Sequence, residues 1–302
     1  MDCFFVRDSL FLSTQLIAGL AIGGIYALVA LGLVLIYKAS EVVNFAQGDL
    51  LLIGAYIGWA LTTAGVPFPV AFVLTLVAAG GIGLAIERLV LRRLVGSPVI
   101  AVIIVTLGLS SMLRGTVFLV ANTEVRRFPE NIFGVAPLVL GPFLVPPVYV
   151  WALGIAAAAV VGLSIFFRMS RQGLALRAAV DDQQAAMSVG IRISWTHALS
   201  WALSAAVAAA GGMLLGNLTG VNFTLADVGL QVFPVVILGG LDSIAGAIVG
   251  GLAIGLLQNV ASGYLDPCVG GGLKNVLPFV ALVAILVVRP HGLFGRARIS
   301  RA

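Results

Sequence analysis

The chain has 302 residues, of which 61% are hydrophobic and 10% charged, with a net charge of +5. Soluble domains carry about 25% charged residues, and a water-soluble fold of this size cannot hide so much apolar surface in one core. The composition therefore excludes a soluble globular protein and points to an all-α, polytopic membrane protein. Its basic residues lie between apolar runs, which explains them as orientation signals rather than as a nucleic-acid patch.

A bilayer core of about 30 Å needs about 20 helical residues at about 1.5 Å each. In chain order the apolar runs are Leu10–Tyr37, Leu50–Thr63, Pro69–Ile86, Val99–Val120, Val148–Phe167, Trp195–Leu218, Gly229–Leu241, Ser243–Leu265 and Val276–Val288. The run Gly229–Leu241 reaches only about 20 Å as a helix, so it is either a short tilted span or a half-helix ending inside the protein. The pattern predicts about nine membrane segments, in a range of eight to ten, some broken, within one transmembrane unit covering residues 1–302. No soluble domain interrupts them. Asp2, Arg7 and Asp8 precede the first run without a basic leader, so that run is expected to be a retained helix and not a cleaved signal. Cys3 and Cys268 are isolated; both are expected on the outer side, where a disulfide is possible but not demanded.

With the N-terminus outside and the segments alternating, the inner side collects Lys38, Arg88, Arg92, Arg93, Arg168, Arg171, Arg177, Arg192, Arg289, Arg296, Arg298 and Arg301. The outer side holds Arg7, Arg126, Arg127 and Lys274. The bias selects an outer N-terminus and a cytoplasmic C-terminus, with residues 289–302 as a cytoplasmic tail. The outer loop Ala121–Pro147 either caps the outer mouth or is plain solvated chain. The connection 168–193 is not turn-like. Good helix formers, with apolar Leu176, Ala179, Val180, Ala186, Met187 and Ile191, predict a short amphipathic helix ended by Gly190. It either lies on the membrane surface or docks another protein.

The 37 glycines suit close helix approach. Gly19/Gly23, Gly54/Gly58, Gly212/Gly216, Gly246/Gly250 and Gly251/Gly255 are each spaced to share a helix face, and packing is their expected role. Chemistry is hard to find. The only lysines, Lys38 and Lys274, do not sit in a Gly-rich phosphate loop, so the chain is not expected to bind ATP itself. The only histidines, His197 and His291, cannot make an H-E-x-x-H site, and Ser110 and Ser164 lack the G-x-S-G setting of a membrane serine protease. A membrane enzyme is a poor fit.

Two breaks carry polar groups into apolar surroundings. Around Glu41–Asp49, the residues Asn44, Gln47 and Asp49 are expected to cap the following helix and contact other helices, to line a polar path, or both, since polar groups in hydrocarbon are costly unless paired or facing a cavity. At Gly239-Gly240-Leu-Asp242-Ser243, Asp242 or Ser243 is expected to cap the long helix that follows. Helix ends at such breaks also offer partial charges to a polar solute, a recurring device in transporters. Arg114, about 9 Å from the outer end of its run, is expected to snorkel to the interface rather than to serve as a buried charge.

These residues also carry a resemblance. Val43-Asn-Phe-Ala-Gln-Gly-Asp-Leu50 with Gly54-Ala-Tyr56 resembles the "INFAHGE…IGAY" segment of the first permease subunit of branched-chain amino-acid ABC importers. Gln47 stands where His is common, and Asp49 stands for Glu. Leu176-Arg-Ala-Ala-Val-Asp-Asp182 through Ala185-Ala-Met-Ser-Val-Gly-Ile191 resembles the family's coupling segment. Ile237-Leu-Gly-Gly-Leu-Asp-Ser-Ile-Ala-Gly-Ala247 resembles its "ILGGxGSIxGA" motif, with Asp242 for the usual Gly, and Val288-Arg-Pro-His-Gly-Leu-Phe-Gly295 its "RPxGLFG" tail.

The resemblance, which covers nearly the whole chain, implies a bacterial inner-membrane importer. It would be built from two permease subunits, the second a different chain, with two cytoplasmic ATPases that use ATP and Mg, and a periplasmic substrate-binding protein. It implies that Arg177, Ala178, Ala179, Asp181, Asp182, Ala185, Ala186, Gly190 and Ile191 couple to an ATPase subunit. Asn44, Phe45, Gln47, Gly48, Asp49, Gly239, Gly240 and Asp242 become candidates for the translocation path. The solute is expected to be an amino acid, branched-chain type favoured, or a similar small polar molecule, and the permease to do no covalent chemistry and bind no cofactor or metal. A secondary transporter or channel is the alternative; it would work without ATPases, and no convincing inverted repeat speaks for it.

Overall fold

Apolar runs of this length satisfy their backbone internally by forming helices, and the bilayer leaves little else open to them. The computed structural model describes residues 9–94, 96–121, 124–129, 132, 138–140, 143–289 and 292–295. The helices are α1 (Ser9–Ser40), α2 (Gln47–Thr63), α3 (Phe68–Leu89), α4 (Val99–Ala121), α5 (Pro147–Met169), α6 (Arg171–Asp181), α7 (Gln183–Ser188), α8 (Ile193–Thr219), α9 (Val228–Gly239), α10 (Ile244–Val269) and α11 (Leu273–Val288). All nine predicted apolar runs are helical. Among the described residues six helices are long and apolar enough to cross a membrane; α9 and α11 are shorter apolar helices, and α2 has 17 residues. A short hairpin pairs β1 (Leu138–Leu140) with β2 (Phe143–Val145) in the connection before α5.

Lys38 closes α1, Arg88 closes α3, Arg168 closes α5, Arg192 precedes α8 and Arg289 follows α11, so these charges gather at one end, the basic end. At the opposite end the indole Nε1 of Trp59 donates to the Arg127 carbonyl at 3.1 Å, the Arg126 guanidinium lies over the same ring, and Arg126 and Val221 exchange backbone hydrogen bonds. Residues 124–129 are thus tied across that end. Parts of the outer connection, Cys3, His291 and the tail beyond Gly295 lie outside the described residues, so the pairing of Cys3 with Cys268 does too.

The centre of the bundle is α1, packed on α10, α8, α5 and α9. Ile25, Leu28, Leu31, Leu33 and Ile36 are fully buried on all sides of α1. The glycine pairs explain how a helix can be enclosed so completely. A Cβ on Gly23 would stand 2.8 Å from the Leu252 Cα and 2.9 Å from the Gly251 carbonyl, and one on Gly251 would stand 2.6 Å from the Ala27 nitrogen. The α1 and α10 backbones therefore touch along interlocked stripes of small residues. Gly54, Gly58 and Gly212 let α2 and α8 approach in the same way. The outer helices α3, α4, α5 and α11 expose apolar side chains such as Val77, Leu119, Val161 and Val283, as suits contact with lipid or a partner.

At the basic end the predicted single amphipathic helix over 168–193 is two helices. Asp182 adopts an extended backbone, and its Oδ1 accepts from the amides of Gln184 and Ala185 at 2.8 and 3.0 Å, which caps α7 and breaks the run. Leu176, Ala179 and Ala186 are buried and Val180 and Ile191 half-buried as the apolar face requires, but Met187 is exposed. Gly190, with φ +87°, ends the segment as its sequence position foretold.

Candidate functional site

The chain does not cross directly from α1 to α2. After Ser40 it doubles back without helical structure through residues 41–46. Glu41 opens the reversal at φ 56°, the only described non-glycine residue with positive φ. The return is deep: the Gln47 Nε2 donates to the Val29 carbonyl at 3.4 Å and lies against Gly32, so α2 starts about 12 Å inside the basic end of α1. Gln47 is held further, its Oε1 accepting from Ser204 Oγ at 3.0 Å and Asn44 Nδ2 at 3.3 Å. The Asn44 Oδ1 accepts from the Ala46 amide at 3.0 Å. Asn44, Gln47 and Asp49 are buried within the subunit. None of them caps α2 by a side chain; its N-cap position is Ala46. The capping expected of this trio is therefore absent, but the expected contacts with other helices are made, through Gln47 to α1 and α8 and through Asp49 to α4.

A second break mirrors the first. Past Gly220 the chain dips back through a 3₁₀ turn, Phe223–Asp227, capped by Asn222, and α9 runs from there to the basic end. The N-terminal ends of the two interrupted helices meet. A Cβ on Gly48 would collide with the Ala226 carbonyl, and one on Gly229 would lie 2.6 Å from the Gly48 Cα. Only glycine admits that approach. Phe45 stacks on Phe233 of α9 with ring centroids 4.9 Å apart, closing the joint on its other side.

Charge collects at this joint. Asp49, in the first turn of α2, accepts from Arg114 Nε at 3.1 Å and from Ser110 Oγ. Ser110 and Arg114 sit one turn apart on one face of α4, so both reach the same carboxylate. Arg114 Nη1 lies 3.4 Å from Asp227 Oδ1 at the start of α9. The expected snorkelling of Arg114 is corrected: the guanidinium turns along the bundle to two carboxylates. Asp49 is enclosed, whereas the side chains of Arg114 and Asp227 are 42% and 53% exposed. Ser110, Ser204 and Asp227 were not identifiable as site members from sequence. Arg114 stood out as a charge in an apolar run, but its partners lie far away in the chain.

The remaining path candidates lie at the basic end, away from this joint. Gly239 and Gly246 bring α9 and α10 into backbone contact, and Gly240, at φ 104°, faces the Gly295 backbone. Leu293 and Phe294 amides donate to the Leu238 and Gly239 carbonyls at 2.8 and 3.0 Å, so the end of the described chain seals the α9 terminus. Ser243 caps α10, accepting from the Gly246 amide at 3.0 Å; Asp242 does not cap but lines an open cleft of about 990 Å³ with Lys38, Glu41 and Arg177. Ser200 lines the same cleft, and Ser204, one turn deeper on α8, holds Gln47. Of the coupling candidates, Ala179 and Ala186 are buried anchors, while Asp182, Ala185 and Gly190 are exposed on the α6–α7 corner. The side chain of Asp181 lies outside the described residues.

Residues 15–286 match the family described as branched-chain amino acid transport system, permease component. The chain is 30% identical to the high-affinity branched-chain amino acid transport system permease protein LivH of Escherichia coli K12, covering 97% of this chain and 98% of that protein. It is 30% identical to the permease protein BraD of Pseudomonas aeruginosa, covering 95% and 97%. Among solved structures, PsaBC from Streptococcus pneumoniae in complex with Fab overlaps 93% of this chain and 91% of that chain at 13% identity and a TM-score of 0.47, a likeness too loose to carry an argument. The apolar bundle, its two interrupted helices and these matches agree: the chain belongs to the permease-component family of branched-chain amino acid transport systems.

Proposed function

We propose that this chain is the membrane half-pore of an ATP-driven importer that carries a branched-chain or similar small amino acid across the bacterial inner membrane. The observation that carries the reading is the joint at Gly48 and Gly229, where two helices start inside the bundle and polar groups stand at membrane depth. Charged side chains in a span face a polar cavity or a partner rather than lipid. Arg114 and Asp227 are half-exposed, so the α4 and α9 surface that bears them faces the second permease subunit and the path between the two. From there Asp49, Gln47, Ser204 and Ser200 form a polar line toward the cleft at the basic end.

The charge bias supports a cytoplasmic basic end, with Gly295 on the inner side. The α6–α7 corner projects there with Met187 55% and Val189 76% exposed. This apolar knob, anchored by Leu176 and Ala186, is the surface that docks a cytoplasmic ATPase subunit. ATP and Mg act on that partner, whose closure biases two arrangements of the permease pair. A periplasmic binding protein delivers solute to the opposite end, where residues 124–129 lie across α2.

The test is purification of the chain from its native membranes in mild detergent, followed by mass spectrometry of its companions. An ATPase and a second permease are expected; the chain alone, across several detergents and with nucleotide present, would sink the importer reading in favour of a secondary transporter or channel. A sharper check is Asp182→Ala, which removes the α7 cap at a cost of about 1 kcal/mol. The variant is expected to insert normally and to lose solute uptake and solute-stimulated ATP hydrolysis. If both survive, the α6–α7 corner is not the coupling site.

A further inference from the structure

The exposed part of the charged joint has an unusual chemistry for its depth. Arg114 stands about 10 Å from the end of α4, between exposed apolar neighbours Met112 and Phe118, and keeps two carboxylates. The two contacts differ in kind. Asp49 is enclosed, bonded also by Ser110, and at 3.1 Å from Arg114 Nε it is a fixed counterion. Asp227 is half-exposed and meets Nη1 at 3.4 Å, a longer contact that opens toward the outside of the subunit. One fixed pair and one loose pair therefore leave, when the loose pair parts, a guanidinium and a carboxylate facing the same space.

We propose that the Arg114–Asp227 pair is a zwitterion site, at which the solute's carboxylate replaces Asp227 on Arg114 while its ammonium group is taken by Asp227. Resting on the importer reading, this gives a structural reason for a cargo whose ammonium and carboxylate groups share one carbon, as in an α-amino acid. The exchange swaps one Arg–carboxylate pair for another and adds an ammonium–carboxylate pair, so no net charge is left unpaired at membrane depth. Asp49 keeps Arg114 in place and charged throughout. An uncharged amide or a urea has nothing to offer either group strong enough to part them, and a simple carboxylate or amine would satisfy one and orphan the other.

The test uses the intact importer, with its ATPases, partner permease and binding protein, in proteoliposomes. Leucine, isoleucine, valine and alanine are offered, and separately urea and acetamide. ATP-driven uptake of amino acids and not of the uncharged solutes is expected. Uptake of urea or acetamide without any amino acid overturns the zwitterion site and leaves the importer standing; uptake of none of the six overturns both. Asp227→Asn keeps a hydrogen-bonding group beside Arg114 but loses the charge, and is expected to cut uptake at low solute at least tenfold, with Asp227→Glu restoring most of it.

A readout that a merely structural role would not move is solute protection of Leu230→Cys, one turn beyond Asp227 on α9 and itself exposed, in a background with Cys3→Ser and Cys268→Ser. Maleimide labelling of the purified complex is expected to slow several-fold with leucine, but not with 4-methylpentanoate or 3-methylbutylamine, and the effect is expected to vanish with Asp227→Asn. Equal protection by all three compounds, protection by none, or unchanged uptake by Asp227→Asn overturns the proposal.

Discussion

The α1–α10 contact and the α2–α9 joint are both places where glycine brings two backbones together, and they solve opposite problems. Along α1 and α10 both helices are continuous, each satisfies its own hydrogen bonds, and Gly19, Gly23, Gly251 and Gly255 remove side chains so that the surfaces interlock. At Gly48 and Gly229 the helices begin inside the bundle, so helix starts and charged side chains stand at membrane depth. Asp49, sited in the first turn of α2, suits the positive end of that helix. Arg114 then answers Asp49, and Asp227 answers Arg114. The contrast teaches that small residues alone let two continuous helices interlock, whereas helices that begin inside the bundle bring a charged trio with them.

The largest effect separating the two regions is expected from Arg114→Leu. It leaves the enclosed Asp49 with only Ser110, and a buried polar group that loses a partner costs about 1–3 kcal/mol, more when charged. Thermal unfolding of the purified protein in detergent reads it. The double variant Asp49→Leu with Arg114→Leu is expected to recover most of the lost stability, since no enclosed carboxylate is left without its partner, yet to remain inactive in transport. Recovery of transport as well would reduce the joint to a structural staple. A smaller effect is expected at the α1–α10 contact. Gly23→Leu forces α1 away from Leu252 and should lower stability by about 1–3 kcal/mol, as overpacking does, with loss of the folded subunit as the readout if the cost runs higher. If Gly23→Leu were tolerated without change, the tight α1–α10 contact would not be what holds the bundle. The smallest, Ser243→Ala, removes the α10 cap at about 1 kcal/mol and should shift the unfolding temperature alone.

Much of the fold was legible in the sequence because its cause is local. Nine apolar runs became nine helices, Gly190 ended the cytoplasmic segment, and Ser243 capped α10, since hydropathy, a left-handed backbone and a side-chain cap all act within a few residues. The site was legible only in part. Asn44, Gln47 and Asp49 marked themselves as polar intruders in an apolar stretch, but whether they capped a helix or met other helices was decided by residues far along the chain. The split of α6 from α7 was missed because a run of good helix formers conceals an Asp whose side chain prefers the amides ahead of it.

By itself, then, the sequence determined a membrane-embedded helical chain, the positions of its spans and breaks, the small-residue faces along which helices meet, and its family. Only the tertiary structure decided how deep α2 and α9 begin, and that Arg114 turns to Asp49 and Asp227 instead of to the interface. The physical reason is reach. Hydropathy and backbone preference are summed over neighbouring residues, whereas an ion pair between α2, α4 and the start of α9 exists only once packing has brought three distant segments within about 3 Å of one another.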